Sequence, residues 1–359
     1  MIDFNKMDIA IILISLIVFV VALILSLSFT PVVKIFAKNV GAMDVPKDNR
    51  RMHSKPIPRM GGLAIFLSFV ICVFAFIPLD SELGGILLGA VILIVLGAID
   101  DIVSLNPWIK LVIQILAAII PVTQGVSIDK ITNFFGSTEF IEFGSFAAPI
   151  TVFWIVLLIN AVNFIDGLDG LACGVSTIAV LSMFVIAISV QDTTMAVMLA
   201  ILAGACFGFI PYNFNPAKIF MGDTGAMFLG YILAAITVQG LFKLYAVVSF
   251  AVPFLVLGLP IFETVVTVTR RLLKGKSPFK ADRGHIHHRL IDFGLNQKQV
   301  VAILYTISGI LGLAAVITAT SGKMKAIVII IAVVIAVIIG LYFYFIKHSK
   351  NNYENGGKK

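Results

Sequence analysis

Long apolar runs fill most of the chain, and short polar segments separate them. A helix needs roughly 20 residues to cross a bilayer, and apolar runs close to that length recur from one end to the other. The pattern predicts an all-α protein, a polytopic bundle of transmembrane helices. We predict eleven spans, at about residues 8–30, 61–79, 84–99, 108–123, 149–163, 171–190, 194–212, 225–241, 246–268, 299–320 and 324–346.

The basic residues predict how this bundle is oriented. Of the 26 Lys and Arg residues, 21 fall on one predicted side, and the five exceptions are Lys6, Lys130, Lys243, Lys323 and Lys325. Because cytoplasmic loops carry an excess of Lys and Arg, we expect the N-terminus outside and the C-terminus in the cytoplasm. We expect a single integral-membrane domain at 1–346 and a polar cytoplasmic tail at 347–359.

Composition and charge narrow the class of protein. Only 13% of the residues are charged, against about 25% in soluble domains. The net charge of +7 is explained by topology and by attraction to the lipid bilayer, so we expect no nucleic-acid partner. The three cysteines lie in apolar runs, which indicates buried thiols. Between Gln124 and Ala148, alternation around a Gly-Ser turn predicts a small external hairpin.

Five polar segments on the predicted cytoplasmic side hold most of the Asp and His residues. Carboxylates at the ends of membrane helices are costly, so several of them on one face indicate a functional site. The segments are 44–62 (DVPKDNRRMHSKPIPRMGG), 99–101 (IDD), 160–170 (NAVNFIDGLDG), 214–225 (FNPAKIFMGDTG) and 280–290 (KADRGHIHHRL).

Three of these carboxylates are candidates for cation chemistry. Asp100 and Asp101 are adjacent at an apolar helix end, where a hard cation or a cationic side chain would relieve their repulsion. An ordinary solvated helix end is the alternative. Asp223 lies among small residues just before a span, where it either serves a ligand site or caps the helix.

A second group combines amides with carboxylates. Asn160, Asn163, Asp166 and Asp169 recur every three residues, so on a continuous helix they would share a face. A polar turn between two spans is the alternative. Hard oxygen ligands without Cys suit Mg²⁺ or Mn²⁺. Glu263, inside the ninth predicted span, receives no role.

Three histidines lie close together in the last polar segment. His285, His287 and His288 suggest zinc, but the flanking Arg283 and Arg289 oppose a dication. Arg and His both donate hydrogen bonds to phosphate oxygens. We therefore interpret this segment as a cationic phosphate clamp, with a basic loop flank as the alternative.

As a set, the segments PKDNRRMHSKPIPRMGG, GAIDD, NAVNFIDGLDGL, NPAKIFMGDTGAMFLG and ADRGHIHHRL resemble the polyprenyl-phosphate N-acetylhexosamine-1-phosphate transferases. They occur in that family's order and span nearly the whole chain. The resemblance implies an enzyme of the bacterial plasma membrane whose active site faces the cytoplasm. It would transfer a sugar 1-phosphate from a UDP-sugar to undecaprenyl phosphate and release UMP.

The resemblance also implies roles for individual residues. Asp223 and Asp166 would hold Mg²⁺, and Asp100 and Asp101 would be catalytic, as base or as nucleophile. The implied substrate-binding residues are Asn160, Asn163, Asp169, Arg283, His285, His287 and His288.

The order His-Ile-His-His is similar to that of the GlcNAc-1-phosphate branch, which makes UDP-GlcNAc the expected donor. The product would start wall teichoic acid, O-antigen or a related glycan. Two alternatives stay open: the phospho-MurNAc-pentapeptide transferase of peptidoglycan synthesis and, in a different class, a transporter for a nucleotide sugar or a cation. The sequence leaves the oligomeric state open, a homodimer included.

Overall fold

A computed structural model describes residues 9–46, 55–133, 140–241, 251–275, 277 and 284–320. Helices dominate these residues, so the expected helical class is confirmed. The helices are α1 (Ile9–Asn39), α2 (Gly62–Phe76), α3 (Ser81–Val103), α4 (Pro107–Thr123), α5 (Ala147–Ile165), α6 (Leu171–Ser189), α7 (Thr193–Asn213), α8 (Gly222–Ile236), α9 (Ala251–Val256), α10 (Gly258–Leu273), α11 (Ile286–Asp292) and α12 (Gln297–Thr320).

Two short antiparallel strand pairs accompany the helices. They are β1 (Met43–Asp44) with β2 (Ile57–Pro58), and β3 (Lys130–Thr132) with β4 (Phe140–Glu142). The second pair confirms the antiparallel pairing expected between Gln124 and Ala148, and its position outside the membrane stays a prediction. The first pair was not predicted, because strands of two residues give no periodic signal. It brings Arg59, directly after β2, close to Asp44.

Six helices in the described part of the chain are long and apolar enough to cross a membrane. They are α1, α3, α5 with the turn before it, α6, α7 and α12. Two shorter apolar helices, α2 and α4, match the second and fourth predicted spans. The chain is thus a helical membrane protein. The number of eleven spans and the orientation stay predictions, and the span at 324–346 lies outside the described residues.

The ninth predicted span, 246–268, is not one continuous helix. In its described part α9 ends at Val256 and α10 begins at Gly258, with Leu257 between them outside the α region. Pro260 explains the break, because proline lacks an N–H and fits the first turn of a helix better than its interior. The new helix α10 continues past the predicted end and buries Arg270 and Arg271.

The first helix continues nine residues beyond its predicted end, through Pro31. Proline at this position cannot donate to the carbonyl of Leu27, four residues earlier. The hydroxyl of Tyr212 donates to that carbonyl at 3.2 Å. A side chain from α7 thereby satisfies the backbone oxygen that Pro31 leaves unpaired, as membrane helices require.

Helix α8 lies at the centre of the bundle and packs against α3 and α5. All of its residues from Thr224 to Ile236 are buried. On α3, Gly97 lies against the backbone of Asp223 and Thr224, where an added methyl group would overlap α8. This close approach brings the last turn of α3, which contains the Asp pair, to the first turn of α8.

Candidate active site

A carboxylate from α3 holds the start of α8. Asp101 accepts hydrogen bonds from the backbone N–H groups of Asp223 (3.0 Å) and Thr224 (3.1 Å) and from the Thr224 hydroxyl (2.7 Å). The first N–H groups of a helix lack intrahelical partners, and a carboxylate is stabilised there. Gly222, at φ +73°, lies so close that a methyl group on it would overlap the Asp101 carboxylate. Asp101 therefore fixes the position of Asp223.

Asp100 and Asp223 share one cationic partner, Lys110. The Lys110 Nζ lies 3.0 Å from Asp100 Oδ2 and 2.6 Å from Asp223 Oδ2. A short link after α3, with Ser104 in the left-handed region, turns the chain so that the first turn of α4 faces the Asp pair. The backbone N–H of Leu105 also donates to Asp100 Oδ1, at 2.6 Å.

Sequence reasoning used Lys110 only as a topological charge and missed this contact. The available signal was a lysine inside an apolar run, nine residues after the end of the Asp pair. Such a residue requires a partner within the bundle. In the structure, Lys110 offsets the charge of Asp100, one member of the predicted pair, and of Asp223. Asp101, the other member, is held instead by the start of α8.

The two asparagines of α5 occupy different surroundings. The Asn163 side chain lies beside the Asp223 carboxylate, so it belongs to the carboxylate cluster. One turn earlier, Asn160 donates to the Gln114 side chain at 2.7 Å and to the carbonyl of Val156 at 2.8 Å. Gln114, on α4, is a second residue near the site that sequence reasoning missed.

The helical register expected for Asp166 and Asp169 is wrong. Helix α5 ends at Ile165 and α6 begins at Leu171, so both carboxylates lie in the turn between them, as the alternative reading allowed. Asp169 accepts from the Asn215 side chain (2.9 Å) and from the Ala217 backbone (3.0 Å). It therefore anchors the segment that precedes α8.

Asp166 faces the carboxylate cluster. Burial, together with the negative charges of Asp223 and Asp101, raises the pKa of Asp166 to about 8. The positive charge of Arg59 opposes this rise. A cation beside Asp166 would favour its ionised form for the same reason.

The first polar segment reaches the cluster through Arg59. Its Nη2 lies 3.1 Å from Asp44 Oδ1, and its Nη1 lies 4.0 Å from Asp101 Oδ1. The backbone N–H groups of Gly61 and Gly62 donate to the carbonyls just before α8. This basic segment therefore packs on the same helix start that Asp101 caps.

The three histidines lie at the start of α11. The rings of His285 and His287 are stacked with centroids 5.4 Å apart, and those of His287 and His288 are 4.4 Å apart. The His287 ring packs on Gly167, the residue after Asp166, where an added methyl group would overlap it. The histidines and the Asp166 turn are thus neighbours. Arg283, the other residue predicted in this segment, lies outside the described residues.

One residue of the predicted cationic clamp, His287, has a perturbed pKa. Burial, and the proximity of His288 and His285, hold the pKa of His287 well below its usual range. His287 is therefore neutral at pH 7. A neutral imidazole can still donate one hydrogen bond to a phosphate oxygen, but it contributes no positive charge.

The carboxylates fit a divalent cation that arrives with a phosphate ligand. Oxygens of Asp100 and Asp223 point at a common position, which the Lys110 ammonium occupies. Among the described residues, no group of three His, Cys, Asp or Glu side chains could hold a metal ion alone. Mg²⁺ in proteins is usually bound by one or two carboxylates, with waters and substrate phosphates completing its shell. The donor set suits that mode of binding.

The apolar helices and the acidic cluster at their ends define an integral membrane protein with a polar site assembled from α3, α4, α5 and α8. The sequence model of a family described as Glycosyl transferase family 4 matches residues 83–241, which contain every predicted site carboxylate. The histidine segment lies beyond that match. Relatives by sequence cover most of the chain as well.

The chain is 43% identical over 301 residues to the probable undecaprenyl-phosphate N-acetylglucosaminyl 1-phosphate transferase of Bacillus subtilis (strain 168), with 83% of each chain covered. It is 34% identical to the decaprenyl-phosphate N-acetylglucosaminephosphotransferase of Mycobacterium tuberculosis (strain ATCC 25618 / H37Rv), covering 82% of this chain and 80% of that protein. Identity to the undecaprenyl-phosphate alpha-N-acetylglucosaminyl 1-phosphate transferase of Escherichia coli O157:H7 is 28%, covering 87% and 86%. The chain belongs to the polyprenyl-phosphate N-acetylhexosamine-1-phosphate transferase family, and the resemblance noted in the sequence is confirmed.

Proposed function

We propose that this protein transfers GlcNAc 1-phosphate from UDP-GlcNAc to undecaprenyl phosphate and releases UMP. The reaction takes place at the cytoplasmic face of the bacterial plasma membrane and supplies a cell-wall or surface glycan. The observation that carries the proposal is the convergence of Asp100, Asp223 and Lys110 from three helices at one membrane helix end, in a chain with these relatives. The transporter alternative is not favoured, because the relatives are transferases by name.

In this reaction an oxygen of the lipid phosphate attacks the β-phosphorus of the UDP-sugar in line. The new P–O bond forms as the bond to the UMP oxygen breaks, so that atoms and charge balance. A phosphate monoester has a second pKa of about 6, so near pH 8 the acceptor is already largely dianionic. A general base then contributes little, and catalysis is mostly positioning and electrostatic stabilisation.

The residues divide this work among them. Asp223, with Asp166 nearby, would hold Mg²⁺ against the diphosphate, and the ion would offset the charge that develops on the leaving UMP. Lys110 supplies a further positive charge beside Asp100 and Asp223. The predicted substrate-binding residues are unchanged: Asn160, Asn163, Asp169, Arg283 and the three histidines.

The Asp pair then has two distinct functions. Both oxygens of Asp101 already accept hydrogen bonds from α8, which supports a role in positioning Asp223. One oxygen of Asp100 accepts a hydrogen bond from the Leu105 N–H, and the other accepts one from the Lys110 ammonium. The hydrogen bond from the Lys110 ammonium withdraws electron density from Asp100 Oδ2 and makes it a weaker nucleophile, which supports direct attack by the lipid phosphate. A phospho-enzyme trapped from UDP-GlcNAc without acceptor would reverse this assignment.

The test uses membranes that contain the full chain, with undecaprenyl phosphate, MgCl₂ and UDP-GlcNAc labelled in the sugar. We expect label in the extracted lipid, and we expect it to disappear with EDTA and in Asp223→Asn. The matched control is Asp192→Asn, which changes a carboxylate that caps α7 by accepting from the Met195 N–H at 2.9 Å. That variant should keep its transfer activity.

Other outcomes identify what is wrong. If label is transferred only from UDP-MurNAc-pentapeptide, the proposed phosphosugar transfer stands but the sugar donor is a different one. Undiminished transfer by Asp223→Asn would remove this residue from the metal site. Vesicle uptake of UDP-GlcNAc without any lipid-linked product would favour the transporter.

A further inference from the structure

Glu263 is a buried carboxylate to which the sequence assigned no role. Its side chain, on α10, belongs to a residue only 2% exposed. Oε1 lies 2.8 Å from the Nδ1 of His285, and both oxygens lie 3.2 Å from the backbone nitrogen of Ile286, the first residue of α11. The Thr267 hydroxyl, one turn further along α10, donates to Oε1 at 3.3 Å. Glu263 thus connects α10 to the start of the histidine segment.

The partners of His285 favour one tautomer of its ring. A carboxylate only accepts, so the Nδ1 that faces Glu263 must carry a proton. On the other side, the guanidinium Nη2 of Arg271 lies 3.4 Å from Nε2, and a guanidinium only donates. A neutral ring protonated at Nδ1 satisfies both neighbours. Arg271 is itself held over the Phe164 ring, 5.5 Å from its centroid.

The position of His285 is passed on to the acidic site through the next histidine. His287 stacks on His285 and packs on Gly167, beside Asp166. A shift at the start of α11 would therefore move His287 relative to the Asp166 turn. Packed elements of this kind transmit small displacements, because interiors have little free space.

We propose that Glu263 is a positioning residue of the transferase. It keeps His285 in the Nδ1–H tautomer and holds the first turn of α11 against the Asp166 turn, so that the histidines meet the substrate phosphates. This inference rests on the proposed function for its kinetic part. Without the carboxylate, a partly buried imidazole N–H and a partly buried backbone N–H both lose their acceptor, so the segment must shift to reach others.

The kinetic test compares Glu263→Ala, His285→Ala and the double variant. A misplacement of about 1 Å can reduce catalysis by about 10²-fold, so each single variant should lose on the order of 10²-fold in kcat/KM. Because both changes disrupt one unit, the double variant should fall no lower than the worse single variant. The relative changes in kcat and in KM should also be the same in Glu263→Ala as in His285→Ala.

Conservative and control variants separate positioning from folding. Glu263→Gln keeps one acceptor oxygen and should recover most of the loss, within roughly tenfold of the wild type on the scale of one neutral hydrogen bond. Thr264→Val is the matched control. Thr264 is a buried neighbour on α10 whose hydroxyl donates to the Pro260 carbonyl of its own helix, and this variant should behave like the wild type. If Glu263→Ala does not fold, Glu263→Gln carries the test.

A spectroscopic measurement tests the positioning without any transfer activity. In the full chain labelled with ¹⁵N-histidine in detergent micelles, one residue should show the Nδ1–H tautomer, assigned as His285 by its loss in His285→Ala. That signal should change in Glu263→Ala and persist in Thr264→Val. An unchanged His285 signal in Glu263→Ala would overturn the proposal, as would multiplying losses in the double variant. A wild type with the expected signal but no transfer would instead count against the proposed function alone.

Discussion

Replacing Lys110 with Met tests whether the acidic cluster is built around a cation. The change removes an ammonium that lies 3.0 Å from Asp100 Oδ2 and 2.6 Å from Asp223 Oδ2. Breaking a buried ion pair costs about 3–5 kcal/mol. The Lys110 side chain is 20% exposed, so solvent partly screens the ion pair. We therefore expect Lys110→Met to lower the free energy of unfolding by about 2–3 kcal/mol in EDTA.

A divalent cation should restore that stability. A ligand present at 100 times its Kd stabilises the folded state by about 2.7 kcal/mol, which is close to the expected loss. Lys110→Met should therefore regain most of its stability in saturating MgCl₂. Without substrate, the wild type should change little, because Lys110 already lies between Asp100 and Asp223 and the metal is expected to arrive with the substrate diphosphate. With roughly 2 °C for each kcal/mol, thermal unfolding in detergent should show a shift of about 4–6 °C between EDTA and MgCl₂ for the variant.

Two controls define the result. Lys110→Arg keeps a cation and should respond as the wild type does. Lys218→Met removes an exposed lysine that lies 5.9 Å from the centroid of the Tyr212 ring, and it should be nearly neutral in both buffers. Lys110 does not compensate the carboxylates if Lys110→Met is as stable as the wild type in EDTA, or if MgCl₂ does not raise the melting temperature of this variant.

Three further predictions concern stability, each measured by thermal unfolding of the purified protein. Asp101→Asn should cost about 2 kcal/mol, because at least one hydrogen bond from the start of α8 to a carboxylate is lost; an unchanged melting temperature would contradict its capping role. Because burial, together with the nearby His288 and His285, holds the pKa of His287 below that of a free imidazole, unfolding takes up a proton as pH falls below about 6.5. The wild type should then lose up to about 1.4 kcal/mol per pH unit more than His287→Gln, and parallel pH profiles would refute this. Tyr212→Phe should cost about 1 kcal/mol by leaving the Leu27 carbonyl unpaired, and the cost should vanish in a Pro31→Ala background, where residue 31 can donate to that carbonyl itself.

The periodic features of the chain were predictable, and the irregular ones were not. Helices α3 to α7 follow their predicted spans to within a few residues, because an apolar run of the right length has few alternatives. The break between α9 and α10 and the continuation of α1 through Pro31 were missed. Both depend on how neighbouring segments satisfy backbone groups near a proline, which a local pattern does not contain.

The candidate site divides in the same way. The sequence identified Asp100, Asp101 and Asp223 as chemically unusual, since carboxylates at apolar helix ends need compensation. It could not show that Lys110 supplies that compensation, because Asp223 and Lys110 are far apart in sequence and meet only through the packing of α3, α4 and α8. The sequence also placed Asp166 and Asp169 on one helical face. In the structure α5 ends at Ile165, one residue before Asp166, so neither carboxylate is on that helix.

The sequence by itself determined that this chain is a helical membrane protein, which polar segments carry its chemistry and which family it belongs to. Composition, the length of apolar runs and the order of short motifs can all be read directly from the sequence, without knowledge of the fold. The tertiary structure alone decided which polar groups become partners: Asp101 with the start of α8, Lys110 with two carboxylates, and Glu263 with His285. Such pairings arise because buried polar groups must find partners wherever helix packing brings them, and that requirement is met only in the folded bundle.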